Sequence, residues 1–154
     1  MVSTADSAPT PRSNATASNV AIVIRLWDEV FNKGALDVLE QLVRREFTNF
    51  GQTTHGPQFL AGLITAQRAA FPDMHFTILH VFVDGDWIIT KARWTGTFQG
   101  PFPFLGLDGV EPTGRRFDVL HVHGFRCVEG TIAEHWAVRD DLTMHAQLLG
   151  SRPR

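Results

Sequence analysis

Apolar positions recur every three to four residues in the first half of the chain and every second residue after position 73. In "SNVAIVIRLWDEVFNKG", Val20, Val23, Ile24, Trp27, Val30 and Phe31 form one helical stripe. Ser18 or Asn19 is placed to cap its start and Gly34 to stop it. "ALDVLEQLVRR" predicts a shorter second helix, with Leu36, Leu39, Leu42 and Val43 on one side. "EFTNFG" reads as a short extended piece. "GPQFLAGLITAQRAAFPD" predicts a third helix, with Pro57 in its first turn and Pro72 at its end. The period then changes. "MHFTILHVFVDGDWIITKARWTGTFQG" predicts two strands turning at "DGD", and "RRFDVLHVHGFRCV" with "GTIAEHWAVRD" a second hairpin turning at Glu129 and Gly130. The intervening "PFPFLGLDGVEPTG" is a loop rich in proline and glycine. "DLTMHAQLLG" closes the pattern as a short helix ending at Gly150.

Helices followed by long antiparallel strands specify an α+β fold. A sheet this long twists and has to bury one face. Three N-terminal helices packed on a strongly curved, mainly antiparallel sheet leave a cone-shaped, barrel-like hollow, and concave apolar hollows are where ligands bind.

The chain of 154 residues fits one domain. Residues 1–18, small, polar and proline-containing, read as a disordered tail without a secretory signal. Residues 19–150 form the single domain, and 151–154 a second tail. The "NAT" at Asn14 matches a glycosylation acceptor by letters only. A net charge of −2 gives no electrostatic case for nucleic acid or an anionic membrane. The single Cys127 excludes an internal disulfide and suits a cytoplasmic location, and no apolar run reaches the ~20 residues of a membrane span. There are twelve phenylalanines, four tryptophans and no tyrosine, so acid–base chemistry falls to His, Asp, Glu, Lys, Arg or the one Cys.

The second hairpin concentrates that chemistry. His121 and His123, two apart on a strand, share a face with Phe117, Val119 and Phe125, the side expected to line a core or cavity. His135, Ala137 and Arg139 share one face of the last strand; Trp136 and Val138 share the other. Asp140 and Asp141 stand where a helix start takes a cap, and Asp140 is also carried as a fallback catalytic carboxylate. Asp118, Lys91 and Arg93 read as outward-facing. Three histidines on neighbouring strands have the donor type for zinc. Trp27, Trp94, Phe98, Phe102 and Phe104 read as core, with Trp27, Trp94 and Phe102 also candidates for a substrate wall. The long apolar loop "PFPFLGLDG" has the character of a lid.

Four stretches in order, "AAFPDMHFTI", "GDWIITKARWTGTFQG", "EPTGRRF" and "GTIAEHWAVRDDLTMHAQLLG", resemble the SnoaL-like polyketide cyclases, or ester cyclases, of the nuclear transport factor 2-like superfamily. The resemblance spans about residues 20–150. It implies aldol closure of the last ring of a polycyclic polyketide ester in a deep pocket, with no metal or organic cofactor. It places the family's histidine on His123 and an asparagine on Asn49. The family's catalytic aspartate falls on Ala137, which carries no proton. An aspartate at that place also serves the related limonene epoxide hydrolases, but the acid of their earlier-strand pair has no counterpart in "IITKARWTG".

The expected activity is therefore a cofactor-free cyclase or isomerase. His123, His135 and Asp140 are its catalytic candidates, and Asn49, Trp94, His121, Arg139, Phe102 and Trp27 hold the substrate. A non-catalytic small-molecule binder, a templating cyclase or an epoxide-hydrolase-like enzyme are the alternatives that Ala137 keeps open. A homodimer formed through the exposed sheet face is the expected assembly.

Overall fold

The structure, a computed structural model, describes residues 11–150. Helix α1, Pro11–Arg25, runs directly into a π-helical stretch, Leu26–Asn32. A 3-10 turn at Leu36–Val38 leads into α2, Leu39–Leu42, followed by β1, Val43–Asn49, and β2, Gln52–His55. Then come α3, Gly56–Ala70; β3, His75–Asp84; β4, Trp87–Thr97; β5, Arg116–Val128; β6, Thr131–Arg139; and α4, Asp141–Leu149. One six-stranded sheet has the order β2-β1-β6-β5-β4-β3. Every pairing is antiparallel except β1 with β6, which is parallel. The sheet is curved and not closed. No helix among the described residues is long and apolar enough to cross a membrane.

Three boundaries differ from the sequence expectation. The first helix begins at Pro11, so residues 11–18 are helical where a tail was expected. Proline fixes a helical φ at a first position and alanines at 15 and 17 propagate the helix. Residues 1–10 and 151–154, the rest of the two expected tails, lie outside the described residues. The second helix stops at Leu42, and Val43 is already extended at φ −122° and ψ 134°, because β1 pairs with β6. The strand β2 was not expected. It pairs with β1 across Phe50 and Gly51, both with positive φ, a two-residue turn suited to a hairpin.

The core lies between the helices and the concave face of the sheet. Trp27 and Trp94 are each 1% exposed, and burying a large apolar side chain contributes about 1.5–3 kcal/mol. Phe117, Val119, His121, His123 and Phe125 all face inward from β5, as the alternation predicts. The outer face carries Lys91, Arg93 and Asp118, with Arg93 3.3 Å from Asp118. One device re-aims β6. Its register with β5 slips between Arg126–Glu134 and Cys127–Ile132, leaving Ala133 as an extra residue. Ile132 and His135 are three apart and would face opposite ways on a regular strand. The bulge lets both face inward.

Candidate active site

The hollow is a cavity of about 660 Å³, within the range of small-molecule sites. Its wall is mostly aliphatic and aromatic. The π-helical stretch contributes Leu26 and Phe31 together. Five residues apart, they would diverge on an α-helix; the wider π-turn brings them to one side. The loop 98–115 supplies Phe102, Phe104 and Leu105. Phe102 is 1% exposed and packs on Phe71 at 5.1 Å, so it is a fixed wall, whereas Phe104 at 42% stands at the mouth. The loop is tied to α4 by His145, whose ring nitrogen donates to the Leu105 carbonyl, and by Thr113 Oγ1–H donating to the Leu148 carbonyl at 2.8 Å.

Across this apolar wall runs one polar row. Asn49 and His135 are neighbours in the parallel β1–β6 register, and Asn49 Oδ1 lies 2.7 Å from His135 Nδ1. His135 Nε2 lies 2.9 Å from His123 Nδ1 on β5. His123 Nε2 in turn lies 3.4 Å from His121 Nδ1. Three adjacent strands thus place four side chains in a single hydrogen-bonded line that crosses from β1 through β6 to β5 and then runs along β5. The line stops at His121 Nε2, which is buried without a partner. Two other wall residues also hold buried, unpartnered polar atoms, Gln67 Oε1 and Trp94 Nε1.

The row sits in a tight aromatic frame. The Trp27 edge meets His123 at 4.8 Å and Phe125 stacks on it at 6.0 Å. Trp27 is itself fixed by Nε1–H donating to Thr90 Oγ1 at 3.2 Å. Phe50 packs edge-on to His135 at 5.6 Å, and the Arg139 guanidinium lies 5.7 Å from the Phe50 ring. Phe50 has φ 49°, a strained value for a bulky residue, held by its N–H donating to the His135 carbonyl at 3.0 Å. Burial pushes His121 down to about 4 and His135 down to about 4. His123 is held well below the ordinary imidazole range by burial and by its histidine neighbours. All three are neutral near pH 7, able to accept a proton and to donate one from the protonated nitrogen.

The structure brings His121, His123, His135, Asn49, Trp94, Phe102 and Arg139 to one cavity. Two expected members lie elsewhere. Asp140 is exposed, and its Oδ1 accepts from Thr143 N–H at 3.1 Å as the cap of α4, so the capping demand of the helix start wins over the cavity. Trp27 does not line the cavity; it buttresses His123 from behind. Ala137 stands opposite His123 in the register and supplies a methyl group to that face. Among the described residues no carboxylate lines the wall. Gln67 and Phe50 were missed from the sequence. Gln67 falls on the apolar stripe of α3 with Leu60 and Ile64, a polar residue in a core position. For Phe50 the signal was the "NFG" turn.

A sequence profile described as SnoaL-like polyketide cyclase matches residues 21–148. The chain is 29% identical over 132 residues to the aklanonic acid methyl ester cyclase of Streptomyces peucetius, covering 82% of this chain and 88% of that one. It is 28% identical over 110 residues to the nogalonic acid methyl ester cyclase of Streptomyces nogalater, covering 68% and 78%. A solved structure from Jannaschia sp. CCS1, described as a SnoaL-like polyketide cyclase, is similar with a TM-score of 0.77 at 26% identity, covering 96% of this chain and 99% of that one.

Proposed function

The chain belongs to the SnoaL-like polyketide cyclase family, and from that premise we propose that it closes a ring in a polyketide-like carbonyl ester by cofactor-independent, aldol-type acid–base chemistry. The observation that carries this reading is the row of neutral imidazoles in an otherwise apolar cavity. A base removes the acidic proton between two carbonyl groups. The resulting carbanion attacks a ketone carbon within the same molecule, and the new alkoxide takes the proton back. The apolar wall folds the flexible chain and excludes water, and such positioning is worth up to about 7–11 kcal/mol in ideal cases. The loss of Asp140 to the helix cap leaves the imidazoles as the proton-handling groups on the wall.

The test is incubation with aklanonic acid methyl ester, the substrate named for the S. peucetius relative. The expected result is an isomer of unchanged mass and altered chromatographic retention, formed with no added cofactor and in the presence of a chelator. Full activity in the triple variant His121→Phe, His123→Phe, His135→Phe would remove the imidazoles from the mechanism.

The absence of a carboxylate on the described wall favours one second reading, a protein that binds or templates its ligand without proton transfer. A ligand recovered unchanged after long incubation with stoichiometric protein would establish it. We also propose a single domain over 19–150 and a homodimer. Leu120 at 43% and Val138 at 67% exposure lie beside Trp136 on the outer sheet face. Light scattering at the monomer mass of 17.2 kDa would refute the dimer.

A further inference from the structure

The polar row has a direction, and the direction selects one atom. At the β1 end the group facing His135 Nδ1 is the carbonyl oxygen of Asn49, which only accepts. His135 therefore carries its proton on Nδ1, and its Nε2 is left as an acceptor. His123 Nδ1 then has to donate to His135 Nε2, so His123 Nε2 becomes the acceptor for His121 Nδ1–H. Every imidazole carries its proton on Nδ1. Imidazole side chains in water favour the other tautomer, so this pattern is imposed by the protein. It also accounts for every ring nitrogen in the row except one. His121 Nε2 holds the single uncommitted lone pair.

We propose that His121 Nε2 is the proton-exchanging atom of the cyclase reaction, and that Asn49, His135 and His123 act as positioning residues that fix its tautomer. The assignment rests on the cyclase reading and names which of its imidazoles meets the substrate. His121 Nε2 takes the proton from the substrate carbon between two carbonyls. The electron pair of the C–H bond forms the new C–C bond, the ketone π pair moves to oxygen, and Nε2–H gives the proton to that oxygen. No redox partner is needed, and the net change is an isomerisation. While His121 is cationic, its Nδ1–H points at the His123 Nε2 lone pair, so the charge is spread into a row already polarised to receive it.

The surroundings of that nitrogen fit the role. Trp94 packs against His121 at 5.3 Å between ring centroids, and its Nε1–H is buried with no acceptor. A buried polar group without a partner has given up its water and received nothing in return. An unpartnered acceptor and an unpartnered donor on touching rings match a ligand that brings a proton for one and an oxygen for the other. An enolising carbonyl brings both. His121 is 2% exposed, so the substrate reaches Nε2 by parting the aromatic wall, which keeps bulk water off the base until then.

The test reads the tautomers directly, by nitrogen NMR of protein labelled at histidine. Three cavity imidazoles in the Nδ1–H form at pH 7 are the expected result. An Nε2–H signal for His121 overturns the assignment, because that nitrogen then has no lone pair; the cyclase reading survives such a result. In Asn49→Leu the three-ring pattern should collapse, with kcat falling at least tenfold and KM changing less than threefold. Asn49→Asp, which still accepts, should restore the Nδ1–H pattern. If Asn49→Leu leaves all three tautomers in place, Asn49 does not set them. In His121→Phe, turnover of the aklanonic acid ester should be lost while His123 and His135 keep their Nδ1–H signals. Retained turnover there assigns the proton exchange to another residue, even with the cyclase activity intact.

Discussion

Replacing Ala137 by aspartate places a carboxylate on the inward face of β6, opposite His123 and two residues from His135. The size of the effect follows from the strand geometry. Two residues along a strand span roughly 6.6 Å. A full charge at that distance, at an effective dielectric constant of about 20, favours a neighbouring cation by about 2.5 kcal/mol. That corresponds to a shift of roughly 70-fold in the protonation equilibrium of His135, which burial in the native protein pushes down to about 4. His123, directly across the ladder, should move in the same direction. An NMR titration of the imidazole signals in Ala137→Asp and native protein measures this. Ala137→Asn, equal in size but uncharged, is the control and should move His135 less than threefold. If the aspartate variant also moves His135 less than threefold, then Ala137 does not face the imidazole row, and the placement of the wall is wrong.

Further expectations concern stability and the mouth of the cavity. His121 and His135 are held at about 4 when folded, against about 6.5 when unfolded. The unfolded chain thus binds more protons between these values, and stability is lost as pH falls from about 6.5 to about 4, by about 3 kcal/mol per imidazole. Asp141 and Asp140 oppose this at His121, and Arg139 reinforces it. Urea midpoints at pH 7 and pH 5 should show the loss, and His135→Phe should flatten it; a pH-independent midpoint would contradict the buried neutral imidazoles. Thr90→Val leaves Trp27 Nε1–H without its acceptor and should destabilise by about 1–3 kcal/mol, whereas Thr90→Ser should change little. Asp140→Ala removes a helix cap and should cost about 1 kcal/mol with turnover unchanged; a large loss of kcat would return Asp140 to the mechanism. Phe104→Ser, at the mouth, should raise KM by severalfold and leave kcat nearly constant.

The helix stripes and strand alternation were legible because each element buries one face. That same alternation correctly put His121 and His123 inward and Asp118 outward. The row itself was not legible. Its continuity depends on β1 lying parallel beside β6, which pairs Asn49 with His135 across 86 positions of sequence. Local patterning carries no information about which strand becomes the neighbour of which. Val43 read as the end of a helix because its spacing from Leu39 and Leu42 is helical. Pairing with β6 overrode that preference. The role of Trp27 was misjudged for a related reason: its stripe marks it as buried, but only the packing decides whether it faces a cavity or backs the residue that does.

The extra residue at Ala133 makes that point of β6 a buffer for chain length. Deleting Ala133 would remove the bulge and leave Ile132 opposite Cys127, Glu134 opposite Arg126 and His135 opposite Phe125 in one regular ladder, with the same side chains turned inward. A one-residue deletion farther along the strand has the opposite effect, because every residue on one side of it turns to the other face. Losing Trp136, for example, would put His135 and Ala137 on opposite faces. Length is therefore forgiving at Ala133 and strict between His135 and Arg139, where one lost residue would split the inward set.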